Sequence, residues 1–275
     1  MTRSADLHIH TYYSDSTYTP EEVLQHAVAA GLDGIAVTDH DTVEGIQPVR
    51  DLALQTNVEI ISGVELSSEE ENRDIHILGY FIDCQNSALL SALRHFQDIR
   101  IERIHLMLKR LASLGIHDIT FEEVDAQTKA DVVGRLHLAQ LLIRKGWAAD
   151  HREAFAKYLG EGAPAYVKKS RLKVQDAIDL IHQAGGLAVL AHPMVTNVDH
   201  LIPRFVREGL DGLEVYYPHT YETITQYYER KADKHGLLKT GGSDAHGRHK
   251  NHTYIGKLKI PYSLVEQMKE RLKTR

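Results

Sequence analysis

The fold class is decided by the stretch Val174-Gln-Asp-Ala-Ile-Asp-Leu-Ile-His-Gln-Ala-Gly-Gly-Leu-Ala-Val-Leu190. Its first half places apolar side chains at the spacing of one helical face, as at Val174, Ile178 and Ile181, which is typical of an amphipathic helix. Gly185-Gly186 then ends the helix, and an apolar run follows directly, which favours a buried strand. The stretch is therefore one helix-to-strand unit.

The same alternation extends along most of the chain, where short apolar runs are separated by helical stretches. The predicted strands are Ala5 to Ile9, Gly34 to Thr38, Val58 to Val64, Ile75 to Phe81, Leu187 to Ala191, Gly212 to Val215 and Leu237 to Thr240. Thr19-Pro20-Glu21-Glu22 offers a cap, a first-turn proline and acidic first-turn residues, so a helix is predicted from there to about Ala30. This pattern predicts an α/β fold.

The alternation is interrupted between residues 88 and 165, where helical patterns follow one another without a strand. The predicted helices are Leu89 to Leu114, Phe121 to Gln127, Leu136 to Lys145 and His151 to Leu159. We interpret 88–165 as a helical insertion, or cap, in a domain formed by 1–87 and 166–275. The sequence has no internal repeat or linker that would indicate two independent domains.

Composition excludes several classes of protein. A chain of 275 residues with 43% hydrophobic content can bury a full core. The single cysteine, Cys84, excludes an intramolecular disulfide framework and a thiolate zinc site. The net charge of −6 argues against a generally basic nucleic-acid-binding surface. Without a signal peptide or long apolar run, we expect a cytoplasmic protein with no membrane association and no obligate protein partner.

The chemistry is concentrated where predicted strands end. In Asp6-Leu-His-Ile-His10 the two histidines are two residues apart on a strand, so both imidazoles point to one face. Other predicted strands end in, or are followed by, histidine or a carboxylate, namely His40, Glu65, His192, Asp244 and His246, and His76 stands near the start of the predicted strand Ile75 to Phe81. Folding buries such residues when they are paired or coordinated, so a shared metal site is predicted.

The donor set indicates the kind of metal site. Imidazole and carboxylate without thiolate favour Zn, Mn or Fe, and the number of candidates exceeds what one ion needs. Asp39 and Asp41 flank His40 and are interpreted as helix caps or as groups that orient His40. Gly242-Ser-Asp244 is not the Gly-x-Ser-x-Gly elbow of a serine hydrolase, and phosphate-binding loops of the Walker or Rossmann type are absent.

Together these motifs resemble the polymerase and histidinol phosphatase (PHP) family across nearly the whole chain. The matching residues are His8-x-His10, Asp15, Thr38-Asp-His40, Gly63-Val-Glu65, His76, Ala191-His-Pro193 and Ser243-Asp-x-His246. Gly134-Arg-x-His137 and Tyr158-Leu-Gly-x-Gly-x-Pro-Ala-Tyr166 resemble the insertion of a stand-alone branch that contains nucleoside 3',5'-bisphosphate phosphatases and a 5'-to-3' exoribonuclease.

The resemblance implies a distorted, TIM-like, seven-stranded β/α barrel with three divalent metal ions. The implied ligands are His8, His10, Glu65 and Asp244 for one ion, Glu65 as a bridge with His76 and His192 for the second, and Asp15, His40 and His246 for the third. His192, His246 and Asp39 are the implied catalytic residues. Serine follows Asp15 where the family commonly has glycine, so the turn around Asp15 is expected to differ in backbone angle.

The resemblance also implies that Arg135 binds a substrate phosphate, for which guanidinium geometry is suited. Lys168, Lys169 and His219 are weaker candidates, because paired lysines usually form a solvated surface. The implied function is hydrolysis of phosphate monoesters, such as nucleoside 3',5'-bisphosphates, by a metal-activated hydroxide. The alternatives are 5'-to-3' trimming of short or 5'-phosphorylated RNA, hydrolysis of histidinol phosphate, and a non-catalytic metal-stabilised module that binds nucleotides.

Overall fold

The computed structural model describes residues 3–127, 134–168, 171–247 and 254–274. The chain folds into two compact units, one formed by Met1–Ser91 with Arg171–Arg275 and the other by Ala92–Ser170. Within these described ranges, no helix is both long enough and apolar enough to cross a bilayer.

The first unit is built around a nearly closed, barrel-shaped sheet. Its strands are β1 Ser4–Ile9, β2 Gly34–Val37, β3 Glu59–Glu70, β4 Arg73–Tyr80, β5 Leu187–Leu190, β6 Gly212–Tyr216, β7 Leu238–Gly241 and β8 Ile260–Pro261. Their order across the sheet is β7-β6-β5-β4-β3-β2-β1-β8. The predicted α/β barrel is confirmed; the short β8, which pairs antiparallel with β1, is an addition to the seven predicted strands.

Strand direction brings the functional ends of the strands to one edge. β1, β2 and β3 are mutually parallel, and so are β5, β6 and β7. β4 is antiparallel to both β3 and β5, so the two parallel groups run in the same direction. The carboxyl ends of these strands therefore share an edge with the beginning of β4, the edge at which barrels of this kind present functional groups.

β3 is longer than predicted, because it continues past Val64 to form a hairpin with β4. The pairing runs from Gly63 opposite Tyr80 to Glu70 opposite Arg73. The turn residues Glu71 and Asn72 have φ of 50° and 58°, as a two-residue type I′ turn requires.

The helices mostly begin and end where their sequences indicate. They are α1 Pro20–Ala29, α2 Ile46–Ala53, α3 Ser87–Ser113, α4 Phe121–Asp125, α5 Arg135–Arg144, α6 His151–Ala154, α7 Val174–Gln183, α8 Pro193–Thr196, α9 Ile202–Arg207, α10 Glu222–His235 and α11 Tyr262–Lys273. The predicted start of α1 is confirmed, since Thr19 and Glu22 form a reciprocal capping box. α6 continues as a π-helical turn, Phe155–Leu159.

The barrel closes where β1 meets the segment after β7. Ile9 and Ala245 form an isolated parallel bridge, and the His10 amide donates to the Ala245 carbonyl at 3.1 Å. Asp6 is fully buried at this seam and accepts hydrogen bonds from the backbone amides of Ser243 at 2.8 Å and Gly256 at 2.9 Å. Burial raises the pKa of Asp6 to about 6, although these hydrogen bonds oppose the rise.

The second unit has its own hydrophobic core. Met107 and Leu111 from α3, Leu138 and Leu142 from α5, and Leu159 from the π-helical turn are all fully buried in one cluster. These contacts give the helices of Ala92–Ser170 a packed interior of their own.

Candidate metal centre

Glu65 is the centre of a buried cluster at the shared strand edge. Its side chain is 1% exposed, and the residue lies near the middle of the long strand β3. Its Oε2 atom lies 3.2 Å from His8 Nε2, His10 Nε2 and His40 Nδ1, and its Oε1 atom lies 2.8 Å from His76 Nδ1 and 3.2 Å from His192 Nε2. One carboxylate therefore faces five imidazoles that come from β1, β4 and the segments after β1, β2 and β5.

Asp244 and Asp15 extend the cluster toward His246. Asp244 Oδ1 lies 3.1 Å from His10 Nε2 and 3.4 Å from both His8 Nε2 and His246 Nδ1. Asp15 Oδ1 lies 3.1 Å from His246 Nε2. Ser16, which follows Asp15, does not have a positive φ, so serine is compatible with this turn. That the turn differs in backbone angle from the family's stays a prediction.

Three groups within this cluster have the spacing of metal ligands. They are His8, His10, Glu65 and Asp244; His10, Asp15, His40 and His246; and His40, Glu65 and His76. In each group, one ligand atom per residue lies within 4.8 Å of all the others. His192 reaches the cluster through Glu65. The structure thus brings all nine predicted ligands together, whereas their coordination of metal stays a prediction.

The chemistry of the cluster fits divalent cations. Within the described residues, six buried imidazole nitrogens have no hydrogen-bond partner: His10 Nδ1 and Nε2, His40 Nδ1, His76 Nδ1, His192 Nδ1 and His246 Nε2. Buried nitrogens without partners are unfavourable, and several of these face carboxylate oxygens. Cations between the imidazole and carboxylate groups would satisfy both, and this donor set suits Zn, Mn or Fe.

Protonation of His10 is linked to metal binding. Burial lowers the pKa of His10, but the neighbouring carboxylates of Asp244 and Glu65 outweigh it and raise the pKa to about 9. A protonated imidazole cannot bind a metal ion, so His10 must release its proton first. Burial lowers the pKa of His8, but the carboxylates of Glu214, Asp244 and Glu65 outweigh it and raise that pKa as well. We therefore expect zinc affinity to rise by at least about tenfold per pH unit between about pH 6 and 8 and to level off at higher pH, where both histidines are neutral. Isothermal titration calorimetry across this range tests it; affinity that stays constant or falls with pH would contradict it.

Tyr217, which follows β6, orients Asp244. Its hydroxyl donates to Asp244 Oδ2 at 2.9 Å, while Asp244 Oδ1 faces the histidines. Its ring also meets the His192 ring edge to face, with centroids 5.6 Å apart. Asp244 itself has a positive φ of 49°, a strained conformation of the kind found at functional sites.

Tyr217→Phe keeps the ring and removes only the hydroxyl. We expect it to weaken metal binding or activity by about tenfold, because Asp244 loses the partner that fixes its orientation. Tyr216→Phe is the matched control, since the Tyr216 hydroxyl donates to Glu229 at 2.8 Å. Equal behaviour of the two variants in zinc titrations and turnover would show that Tyr217 does not act through Asp244.

Asp39 lies behind the cluster. It is buried and accepts hydrogen bonds from the Thr11 amide and hydroxyl, each at 2.7 Å, and from the Ser14 hydroxyl. These contacts fix the loop that carries Asp15. The neighbouring Asp41 accepts a hydrogen bond from the Ser67 amide at 2.8 Å. This contact links Asp41 to β3 and not to the end of a helix.

The predicted substrate-binding residues lie outside the metal groups. Arg135 begins α5 in the second unit, and its guanidinium lies 5.5 Å from the Phe155 ring centroid and 5.6 Å from that of Tyr166. Lys168 is exposed in the same unit, and Lys169 lies outside the described residues. His219 is exposed after β6, with Nε2 at 3.4 Å from Lys257 Nζ.

Reasoning from the sequence did not identify Glu214 as a functional residue. It is fully buried in β6 and contacts both His8 and His192. The sequence signal that could have identified it is a lone carboxylate inside the apolar strand Gly212-Leu-Glu-Val-Tyr216. A buried charge is stable only when it is paired or hydrogen-bonded, so such a residue indicates a buried partner.

Comparison with known proteins finds the PHP domain over residues 6–270. The chain is 34% identical to a 5'-3' exoribonuclease of Haemophilus influenzae over 251 residues, which cover 90% of this chain and 91% of the relative. It is 33% identical to a 3',5'-nucleoside bisphosphate phosphatase of Chromobacterium violaceum over 259 residues, 90% of each chain. A structure from Bifidobacterium adolescentis, described as a metal-dependent phosphoesterase, superposes with a TM-score of 0.84 at 28% identity and covers 98% of this chain and 96% of that one.

Proposed function

Because the chain belongs to the PHP domain family and is a metal-dependent phosphoesterase, we propose that it removes a phosphate from nucleoside 3',5'-bisphosphates. The observation that carries the proposal is the buried Glu65 carboxylate surrounded by five imidazoles. A relative at 33% identity that is named for this activity, and that matches over 90% of both chains, supports the choice of substrate.

The proposed cofactors are three divalent ions of Mn, Zn or Fe. His8, His10, Glu65 and Asp244 would hold one, Glu65 would share a second with His76 and His192, and Asp15, His40 and His246 would hold the third. When bound, such ions lower the pKa of water and neutralise charge on phosphoryl oxygens. Two of the ligand groups described above contain the proposed ligands of the first and third ions. Glu65 also belongs to the group with His76, which includes His40, whereas His192 contacts Glu65 directly.

Hydrolysis at this centre also requires the transfer of a proton. Hydrolysis forms a bond between phosphorus and the oxygen of water and breaks the bond between phosphorus and the ester oxygen, which must take up a proton. The attacking water supplies that proton. We propose that His192 and His246 act in the reaction by holding the ions in place, because a ring nitrogen that binds a metal ion has no proton to deliver. Asp39 acts indirectly by fixing the loop of Asp15.

Arg135 is the proposed ligand of the substrate phosphate. One of its N–H groups donates to the Leu159 carbonyl at 3.3 Å, and two aromatic rings flank the guanidinium. A guanidinium has five N–H donors, so Arg135 can hold Leu159 and a phosphate oxygen together. This prior positioning reduces the entropy lost on binding. Lys168 and His219 remain weaker candidates for the same task.

Arg135→Ala tests this assignment directly. We expect KM for a nucleoside bisphosphate to rise by at least about tenfold, because a charge-assisted hydrogen bond to phosphate is lost. Arg144→Ala is the matched control, since Arg144 ends the same helix. Steady-state kinetics in which both variants keep the wild-type KM would contradict the role of Arg135.

A second candidate is 5'-to-3' exonucleolytic trimming of RNA. It is favoured by the relative named for that activity, at 34% identity. Arg103 and Arg110 of α3 donate to the carbonyls of Val167 and Tyr166, beside Lys168, so cationic side chains gather along this segment. The net charge of −6, by contrast, favours a small substrate, because binding of an extended RNA backbone depends on many positive charges.

Turnover of a substrate panel decides between the candidates. The manganese-loaded protein is assayed with a nucleoside 3',5'-bisphosphate, a short 5'-phosphorylated RNA and histidinol phosphate at several salt concentrations. We expect the highest kcat/KM with the bisphosphate. Faster, salt-sensitive turnover of RNA would establish the exonuclease instead, and tight nucleotide binding without phosphate release would indicate a non-catalytic module.

A further inference from the structure

β6 carries no predicted metal ligand, yet a carboxylate from this strand reaches two of them. Glu214 is completely buried in the middle of Gly212–Tyr216. Its Oε1 atom lies 2.9 Å from His8 Nδ1, and its Oε2 atom accepts a hydrogen bond from the backbone amide of His192 at 2.7 Å. Each oxygen of the carboxylate is therefore engaged with a different predicted ligand.

The first contact fixes which nitrogen of His8 faces the cluster. A carboxylate oxygen can only accept, so His8 Nδ1 carries the proton and donates it to Glu214. The other ring nitrogen, Nε2, then points at Glu65 Oε2 at 3.2 Å and Asp244 Oδ1 at 3.4 Å. Nε2 is also within hydrogen-bonding distance of the Glu65 carboxylate. Because Glu214 keeps a proton on Nδ1, Nε2 is the nitrogen that gives up its proton when a metal ion binds.

The second contact holds His192 in a backbone conformation that it would not adopt freely. His192 has φ of 27° and ψ of 58°, a region that side-chain-bearing residues rarely occupy. Pro193 follows it, and a residue before proline is itself restricted to extended conformations. The hydrogen bond from the His192 amide to Glu214 therefore stabilises a turn that local preferences oppose, and this turn directs the His192 ring toward Glu65.

We infer that Glu214 is a positioning residue that sets the metal affinity of the centre by fixing the ring tautomer of His8 and the backbone of His192 at once. The inference rests on the proposed metal centre but not on the proposed substrate. Glu214 lies 206 positions from His8 and 22 positions from His192 in the chain, so the carboxylate connects two ligands that are distant in sequence.

Glu214→Gln is a sharp test because the two side chains have the same shape. The amide has only one oxygen, whereas the carboxylate accepts from two N–H groups. The variant must therefore lose the acceptor for either the His8 Nδ1 proton or the His192 amide proton, and an amide NH2 group facing His8 would favour the opposite ring tautomer. We expect zinc affinity, measured by competition with a chromophoric chelator, to fall by about 10- to 100-fold, the range found when partners of metal ligands are removed.

Glu59→Gln is the matched control. Glu59 also lies in the barrel, but its carboxylate bonds to Tyr262 and Lys269 away from the cluster, so zinc affinity should stay within about twofold of wild type. Zinc affinity of Glu214→Gln within that same range, or an equal loss in both variants, would overturn the inference. A wild type that binds no zinc would overturn the metal centre itself.

A second measurement needs no variant and covers the case in which Glu214→Gln does not fold. Long-range ¹H–¹⁵N NMR of the zinc-loaded wild type reports which nitrogen of His8 carries a proton. We expect the proton on Nδ1 and the metal on Nε2. A His8 ring that binds zinc through Nδ1 would overturn the inference, because Glu214 would then have no proton to accept.

Discussion

Glu65→Gln is expected to lower phosphoesterase activity by on the order of 1000-fold or more and to remove at least one bound metal ion. The side chain keeps its shape but loses the charge that faces His8, His10 and His40 through one oxygen and His76 and His192 through the other. In addition, the amide nitrogen would face one set of imidazoles, where it cannot bind a cation. Metal content by mass spectrometry and kcat with a nucleoside bisphosphate measure the two effects.

Glu59→Gln serves again as the control, because Glu59 belongs to the same strand and lies outside the cluster. It should keep its metal and its activity. Retention of full metal content and near-normal kcat by Glu65→Gln would show that Glu65 is not the shared ligand of the centre.

Gly242→Ala is expected to destabilise the protein by about 3 kcal/mol or more. A Cβ atom at Gly242 would lie 2.2 Å from the His8 backbone nitrogen and 2.5 Å from the His8 Cβ. These atoms belong to the barrel seam, so neither can move aside without shifting β1 and its histidines. Urea or thermal unfolding of the metal-free protein measures the loss of stability, and zinc titration measures the displacement of the ligands.

Gly134→Ala is the matched control, since nothing lies within 4 Å of a Cβ at that position and its φ is −151°. Its free energy of unfolding should stay near that of the wild type. Equal stability of Gly242→Ala and wild type would contradict the close approach of the two segments.

Much of the barrel can be predicted because its signals are local. The run from Leu187 to Leu190, with a helix and two glycines before it, contains the information for one helix-to-strand unit, and β5 begins and ends there. β3 is different, since Ser67 and Ser68 interrupt the apolar pattern. The Ser68 hydroxyl donates to the Ile75 carbonyl at 2.7 Å across the hairpin, and this partner cannot be inferred from the residues next to it.

The candidate site divides in the same way. Histidines and carboxylates at strand ends can be predicted as site residues from the sequence, because a parallel sheet gathers those ends at one edge. Glu214 and Tyr217 cannot be predicted in this way, because their roles depend on contacts with His8 and Asp244, which are distant from them in the sequence. The strained backbone of His192 is likewise invisible in Ala191-His-Pro193, because the contact that stabilises it comes from another strand.

We propose that this cluster hydrolyses phosphate esters only when it holds divalent ions. The most direct test removes the ions with a chelator, measures the remaining metal by mass spectrometry and follows nucleoside bisphosphate turnover while Mn or Zn is added back. Activity should fall below roughly 1% without metal and recover in proportion to bound ions, with a maximum at about three per chain. Undiminished turnover by protein that contains no metal would contradict the account.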